Sequence, residues 1–229
     1  MGHLVDILPQ STKIYRARRR KENQKFNHED LTSPPPSLSQ NSRMSPAGIS
    51  FFYGGMDPEV CIHEVRPDVT ETIEIAEFEV KKDLFVLELS HDFGEPRSIF
   101  DPYYDFSYEE FFKPFLQHFI HDISKPIRKI DNEVEYIPTQ IFTEFIKSIN
   151  FTNSFYSGED EGNLQDVFIN GIKFKSSIMN DGVNLVLFKG PEISNTYNSD
   201  LNDAWLYYKG SKTYQVNEII VKSSATSIR

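Results

Sequence analysis

The chain has 229 residues, 38% of them hydrophobic, with nineteen Phe and eleven Tyr and a formal charge of −10. The aromatics supply enough surface for a real core in one generous domain, which excludes a disordered tail. The acidic balance argues against direct nucleic-acid binding, and no run of ~18 apolar residues offers a membrane span.

Residues 1–13 carry little pattern and read as an N-terminal extension to a domain spanning 14–222, with 223–229 as a tail. A short strand is predicted over 14–18, followed by a polar stretch and by Ser33-Pro34-Pro35-Pro36-Ser37. The prolines lock φ and remove donors, so this segment reads as an extended loop over the surface or a pocket mouth. The β-branched and aromatic run 49–53 predicts a strand ending at Gly54-Gly55. Asp57-Pro58-Glu59 then carries the marks of a helix start: an Asp cap, Pro at the first position and an acid in the first turn.

Alternation predicts a half-buried strand over 70–78, and an apolar run predicts a second over 84–89. An aromatic helix is expected over 107–120, bent at Pro114, with Phe111, Phe112, Phe115 and Phe119 on it. The next helix, over 139–149, shows Ile141, Phe142, Phe145, Ile146 and Ile149 at helical spacing. Residues 150–170 are polar and acidic and read as a loop or insertion. Strands are expected again over 172–174, 183–188 and 214–221. Strands, then helices, then strands, without a βαβ repeat, predict a single mixed α+β domain.

Standard chemical motifs are few. There is no G-x-G-x-x-G after a strand, no phosphate-binding P-loop and no G-x-S-x-G elbow. His118 and His121 lack a third ligand, so no metal site is expected. The lone Cys61 stands among Val60, Ile62 and Val65, where a thiol behaves as a small buried hydrophobe rather than a nucleophile. One cysteine allows no intrachain disulfide, and with no export signal in view the expected location is the cytoplasm.

An ordered constellation remains. Arg16 lies in Tyr15-Arg16-Ala17-Arg18, ahead of Arg43-Met44-Ser45-Pro46-Ala47-Gly48-Ile49-Ser50-Phe51-Phe52-Tyr53-Gly54 and His63-Glu64-Val65-Arg66-Pro67. Tyr136-Ile137-Pro138-Thr139-Gln140, Gly171-Ile172-Lys173-Phe174-Lys175-Ser176-Ser177 and Val183-Asn184-Leu185-Val186-Leu187-Phe188 follow. Over roughly 14–190 this order resembles the RES family, named for its Arg, Glu and Ser. It is similar to the branch with a proline-rich stretch ahead of an RMxPAG…FY…EVRP block. The chain departs from the family in reading Asn170-Gly171 where Asp-Gly is usual, and in a longer polar stretch at 150–170.

The resemblance implies a bent or split sheet like that of ADP-ribosyltransferases. It also implies degradation of NAD+ by hydrolysis or phosphorolysis, with NAD+ as substrate rather than cofactor and inorganic phosphate as a possible acceptor. It implies a toxin or defence role with a helix-turn-helix antitoxin as partner. ADP-ribosyl transfer to a protein or nucleotide, and a non-catalytic NAD-binding module, are the alternatives. The residues it implies as catalytic are Glu64, Arg16, Tyr53 and Ser176, and as NAD+-binding Arg43, Asn184, Arg18 and Ser177. Arg18 competes with Arg16 for the family's first Arg, and the adjacent Ser176 and Ser177 would point to opposite faces of a strand.

The chemistry suits these residue types. Nicotinamide leaves as a neutral base while the ribose gains oxocarbenium character, so a carboxylate beside the sugar matters more than an acid. Arginines grip a diphosphate by paired hydrogen bonds, and a tyrosine can stack on the nicotinamide. Each residue also has a plainer reading, for example Tyr53 as core and Glu64 as the partner of Arg66 in a helix-end salt bridge.

Overall fold

A computed structural model of the chain describes residues 4–21, 24–91, 93–94, 97–124, 132–148, 150–152, 166–179, 181–191 and 204–218. Its strands are β1 (Val5–Leu8), β2 (Lys13–Arg20), β3 (Phe52–Gly55), β4 (Thr72–Val80), β5 (Leu84–Leu89), β6 (Asn150–Thr152), β7 (Asp166–Phe168), β8 (Gly171–Lys175), β9 (Val183–Leu187) and β10 (Leu206–Gln215). Eight of them form one mixed sheet in the order β1-β5-β8-β9-β3-β2-β4-β10, while β6 and β7 pair separately. Among the described strands only β5 and β8 run parallel. With its few helices this is the single α+β domain expected.

The apolar strands are buried on both faces, as their composition requires. On one face Leu87, Leu89, Ile172, Phe174 and Val186 form a core cluster with Leu116, Phe119, Ile123, Phe142 and Ile146. On the other, Leu84, Val86, Leu185 and Leu187 pack with Ile14, Phe52, Phe78 and Leu31. Alternate side chains of one strand thus serve two cores.

Where the sheet turns from β3 to β2 the pairing nearly fails, because the two strands share one registered pair, Tyr15 with Gly55. The eight strands nonetheless remain one sheet. Gly54 sits there because a Cβ would come within 2.6 Å of the Tyr15 carbonyl oxygen. The Gly pair therefore belongs to the strand and permits close approach, rather than ending it as the sequence reading expects.

The described residues also hold four α-helices: α1 (Pro58–Glu64), α2 (Lys113–Ser124), α3 (Asn132–Glu135) and α4 (Ile137–Ser148). The α1 start follows its sequence marks, with the Asp57 side chain accepting from the Glu59 amide at 2.7 Å. A π-helical turn at Tyr108–Phe112 leads into α2. Of the four aromatics expected along it only Phe119 is buried, and Leu116 and Ile123 take the other inward positions. In α4, Ile141 and Phe145 are exposed and the inward face carries Thr139, Gln140, Phe142, Thr143 and Ile146. The sequence reading expects an all-apolar stripe, and the polar members of the real one have partners across the domain.

Three further expectations change. The N-terminal extension contributes β1, a sheet-edge strand paired antiparallel with β5. The presumed loop at 150–170 carries β6 and β7 at its ends. The last strand lies earlier than predicted, at Leu206–Gln215. Residues 153–165, 219–221 and the 223–229 tail lie outside the described residues. No helix among the described residues is long and apolar enough to cross a membrane.

Candidate active site

A cavity of about 430 Å³ opens beside the weakly paired β2 and β3. Arg16 from β2, Tyr53 from β3, Glu64 from α1, Asn184 from β9, Arg43 and Ser177 all line it. Residues up to 168 positions apart in the chain therefore face one space.

Glu64 is the last residue of α1, placed where the helix end meets β8 and β9. Its Oε1 accepts from Ser176 Oγ at 2.7 Å and from Asn184 Nδ2 at 2.7 Å. No protein donor reaches Oε2 among the described residues. Ser176 is itself fixed, because its Oγ accepts the Ile178 and Met179 amides, each at 3.1 Å. Strand β8 ends at Lys175, so the two serines belong to a turn rather than a strand. Ser176 reaches under Glu64, and Ser177 sits exposed at the cavity rim. Asn184 is buried and registered opposite both Gly55 and Phe174. The Asn170 departure keeps its acceptor function, since Oδ1 takes the Phe85 amide at 2.9 Å.

Arg16 donates from Nη1 to the Tyr53 carbonyl at 2.8 Å and lies over the Phe52 ring, while its buried Nε has no partner. Burial, helped by the nearby Arg18 charge, pushes the guanidinium down to about 10, so it is still cationic at neutral pH. Arg18 lies outside the cavity: its Nη1 donates to the Asp30 carbonyl and its guanidinium lies over Phe26, 5.1 Å from the ring centre. Of the two registers, Arg16 is the one that faces the site.

Arg43 donates from Nη1 to the carbonyl of Ile123, near the C-terminal end of α2. That end carries partial negative charge, which suits a cation. The Tyr53 hydroxyl lies 2.5 Å from Ser42 Oγ and 3.3 Å from Ser45 Oγ. Burial pushes its phenol above the ordinary value, so it remains protonated.

Sequence reasoning gave no site role to Asn41, Ser42, Arg66 and Tyr136, which also line the cavity. Asn41 and Ser42 immediately precede the quoted Arg43 block, Arg66 stands inside the quoted Glu64 motif, and Tyr136 heads the Tyr-x-Pro-Thr-Gln motif. Arg66 has a left-handed φ of 46°, an uncommon conformation for a residue with a side chain. Cys61 also lines the cavity, with Sγ donating to the Tyr15 carbonyl at 3.1 Å. Burial pushes its thiol up to about 12, leaving it a poor nucleophile.

The electrostatic pattern is the informative part. Among the described residues no ion pair joins Glu64 to any arginine, including Arg66, and none joins Arg16 or Arg43 to a carboxylate. A carboxylate and two guanidiniums thus share a cavity while each is held by neutral groups. The helix-end salt bridge does not form. Among the described residues there is also no group of three or more His, Cys, Asp or Glu able to hold a metal ion.

The model of the family described as the RES domain matches residues 13–207, most of the chain. No curated protein and no solved structure matches it. The chain belongs to the RES domain family.

Proposed function

We propose that this RES-domain protein cleaves the nicotinamide–ribose bond of NAD+, with water or inorganic phosphate as acceptor. One observation carries the reading: the cavity keeps unpaired charges of both signs apart. A ligand that satisfies them must itself carry both, and NAD+ joins an anionic diphosphate to a cationic nicotinamide riboside.

The diphosphate takes Arg16, whose buried Nε lacks a partner, and Arg43. A buried cation with an open donor favours an anionic ligand, because its desolvation is otherwise uncompensated. The nicotinamide riboside lies toward Glu64. With Oε1 saturated by Ser176 and Asn184, the free Oε2 faces the sugar and stabilises the developing cation. The same oxygen can accept a proton from an attacking water. Tyr53, tied at its hydroxyl to Ser42 and Ser45, presents its ring for stacking. Ser176 and Asn184 act by orienting Glu64, and Ser177 lies at the rim, where a ribose hydroxyl is within its chemistry.

The RES domain is consistent with an NAD+-related toxin function. The proposal extends to a toxin restrained by a helix-turn-helix antitoxin, for which growth arrest on expression, relieved by Glu64→Gln, is the expected behaviour. The direct test incubates pure folded protein with NAD+, with and without phosphate, and follows nicotinamide. ADP-ribose as product identifies hydrolysis and ADP-ribose 1-phosphate identifies phosphorolysis. Absence of nicotinamide under both conditions refutes the proposal, and label transferred to a macromolecule favours ADP-ribosylation instead.

A further inference from the structure

Asn41, Ser42 and Arg43 form one wall of the cavity, and none of the three belongs to a helix or strand. A loop that presents a cation to a ligand binds well only if it is already ordered, since each immobilised side chain costs binding free energy. Besides Ser45 and Tyr53, which bind Ser42, the groups that order this loop come from the first turn and a half of α4. Gln140 Nε2 donates to Asn41 Oδ1 at 2.6 Å and to the Ser42 carbonyl at 2.7 Å. Thr139 Oγ1 donates to the Arg43 carbonyl. Three successive loop residues are therefore held by two successive helix residues about a hundred positions away.

Neither side chain lines the cavity, and both are buried, Thr139 at 3% and Gln140 at 9% exposure. Packing alone does not explain their polarity. A methionine fills the space of a glutamine in a core, and valine that of a threonine. Phe142 and Ile146 already give α4 its apolar anchor. Buried donors are kept where they have acceptors, and here every acceptor is on the cavity loop, apart from the Tyr136 carbonyl that Thr139 also reaches at 2.9 Å. The far end of Arg43 is held as well, by the α2 carbonyl of Ile123. The arginine is thus fixed at its backbone by α4 and at its guanidinium by α2.

We infer that Gln140 and Thr139 are positioning residues for the substrate's diphosphate: they hold the 41–43 loop so that Arg43 meets the anion, without touching the ligand themselves. The inference rests on the NAD+ reading above. Its kinetic signature follows from where the diphosphate lies. That group is remote from the bond that breaks, so a looser grip weakens ground and transition states alike, raising KM and sparing kcat.

The test uses Gln140→Met in the full chain, following nicotinamide release and the calorimetric binding of ADP-ribose. KM for NAD+ and Kd for ADP-ribose are expected to rise about ten-fold, the effect of losing ordinary hydrogen bonds. The kcat should stay within about two-fold. In an Arg43→Ala background Gln140→Met should add nothing further, because the two act through one contact. Thr139→Val provides a second, independent removal should Gln140→Met fail to fold. Wild-type KM and Kd in the folded variants, a loss confined to kcat, or full additivity with Arg43→Ala overturns the inference. So does loss of the fold in both variants, which assigns the residues to structure. In those cases wild-type turnover leaves the NAD+ reading intact, whereas a wild type that neither releases nicotinamide nor binds ADP-ribose overturns both.

Discussion

Replacing Glu64 by Gln isolates charge from shape. The amide oxygen can accept from Ser176 and Asn184 as Oε1 does at 2.7 Å from each, so the local network survives. In the proposed reaction, what disappears is one negative charge beside the sugar. As the bond breaks, positive charge migrates from the pyridinium ring to the ribose, so a carboxylate there favours the transition state over the bound substrate. A unit charge at ~4 Å and an effective dielectric of ~20 is worth about 4 kcal/mol. Removing one preorganised stabilising group at other enzyme sites costs about 2.7–4 kcal/mol. The expected result is a fall in kcat of about 10²–10³-fold with KM close to wild type. Folding stability should change by no more than about 0.5 kcal/mol. Nicotinamide release under saturating NAD+, with a denaturant melt on the same sample, gives all three numbers. A folded variant that retains more than a tenth of wild-type kcat would refute the electrostatic role assigned to this carboxylate.

Ser176→Ala removes a donor to Glu64 and the acceptor of two turn amides. It should cost about 1 kcal/mol of stability and lower kcat, both of which Asn184 partly limits by continuing to hold Oε1. Unchanged thermal unfolding and kcat would contradict the orienting role. Burial opposes ionisation of Glu88, but Lys173, at 2.6 Å, and the Ser90 hydroxyl and amide outweigh it and hold the carboxyl below its ordinary value. The stabilisation is therefore present above the unfolded pKa of 4.5 and lost as pH falls through the lower folded value. Lys173→Met should destabilise by about 3 kcal/mol at neutral pH, and by less at pH ~4, where protonation relieves the stranded charge; urea melts at the two pH values decide it. With its thiol pushed from 9.0 to about 12, Cys61 should have about a thousand-fold less thiolate than an ordinary cysteine at pH 8. Thiol reagents should label it quickly only after unfolding, and rapid native labelling would place it at an open surface instead.

Much of the candidate site was legible because the ordered blocks of the chain resemble the RES family, which marks particular residues within them. Arg16, Arg43, Tyr53, Glu64 and Asn184 could be singled out on the chain, and all five line one cavity. The start of α1 and the extent of β5 were equally local, since an Asp-Pro-Glu cap and an unbroken apolar run carry their own instructions. Choices that depend on distant partners were not. Arg16 and Arg18 share strand chemistry, and only the tertiary structure shows the first facing the cavity beside the weakly paired β3 while the second turns to Asp30 and Phe26. Ser176 is separated from Ser177 in role by a turn that begins after Lys175, and Glu64 meets it across 112 positions of chain. The inward face of α4 follows Thr139 and Gln140 rather than Ile141 and Phe145, because the acceptors on the 41–43 loop decide which side turns in. Residue type and order thus determined which groups are present, from local propensity and chemical necessity. Which of them share a space was decided by tertiary structure, because hydrogen-bond partners and burial are properties of segments far apart in the sequence.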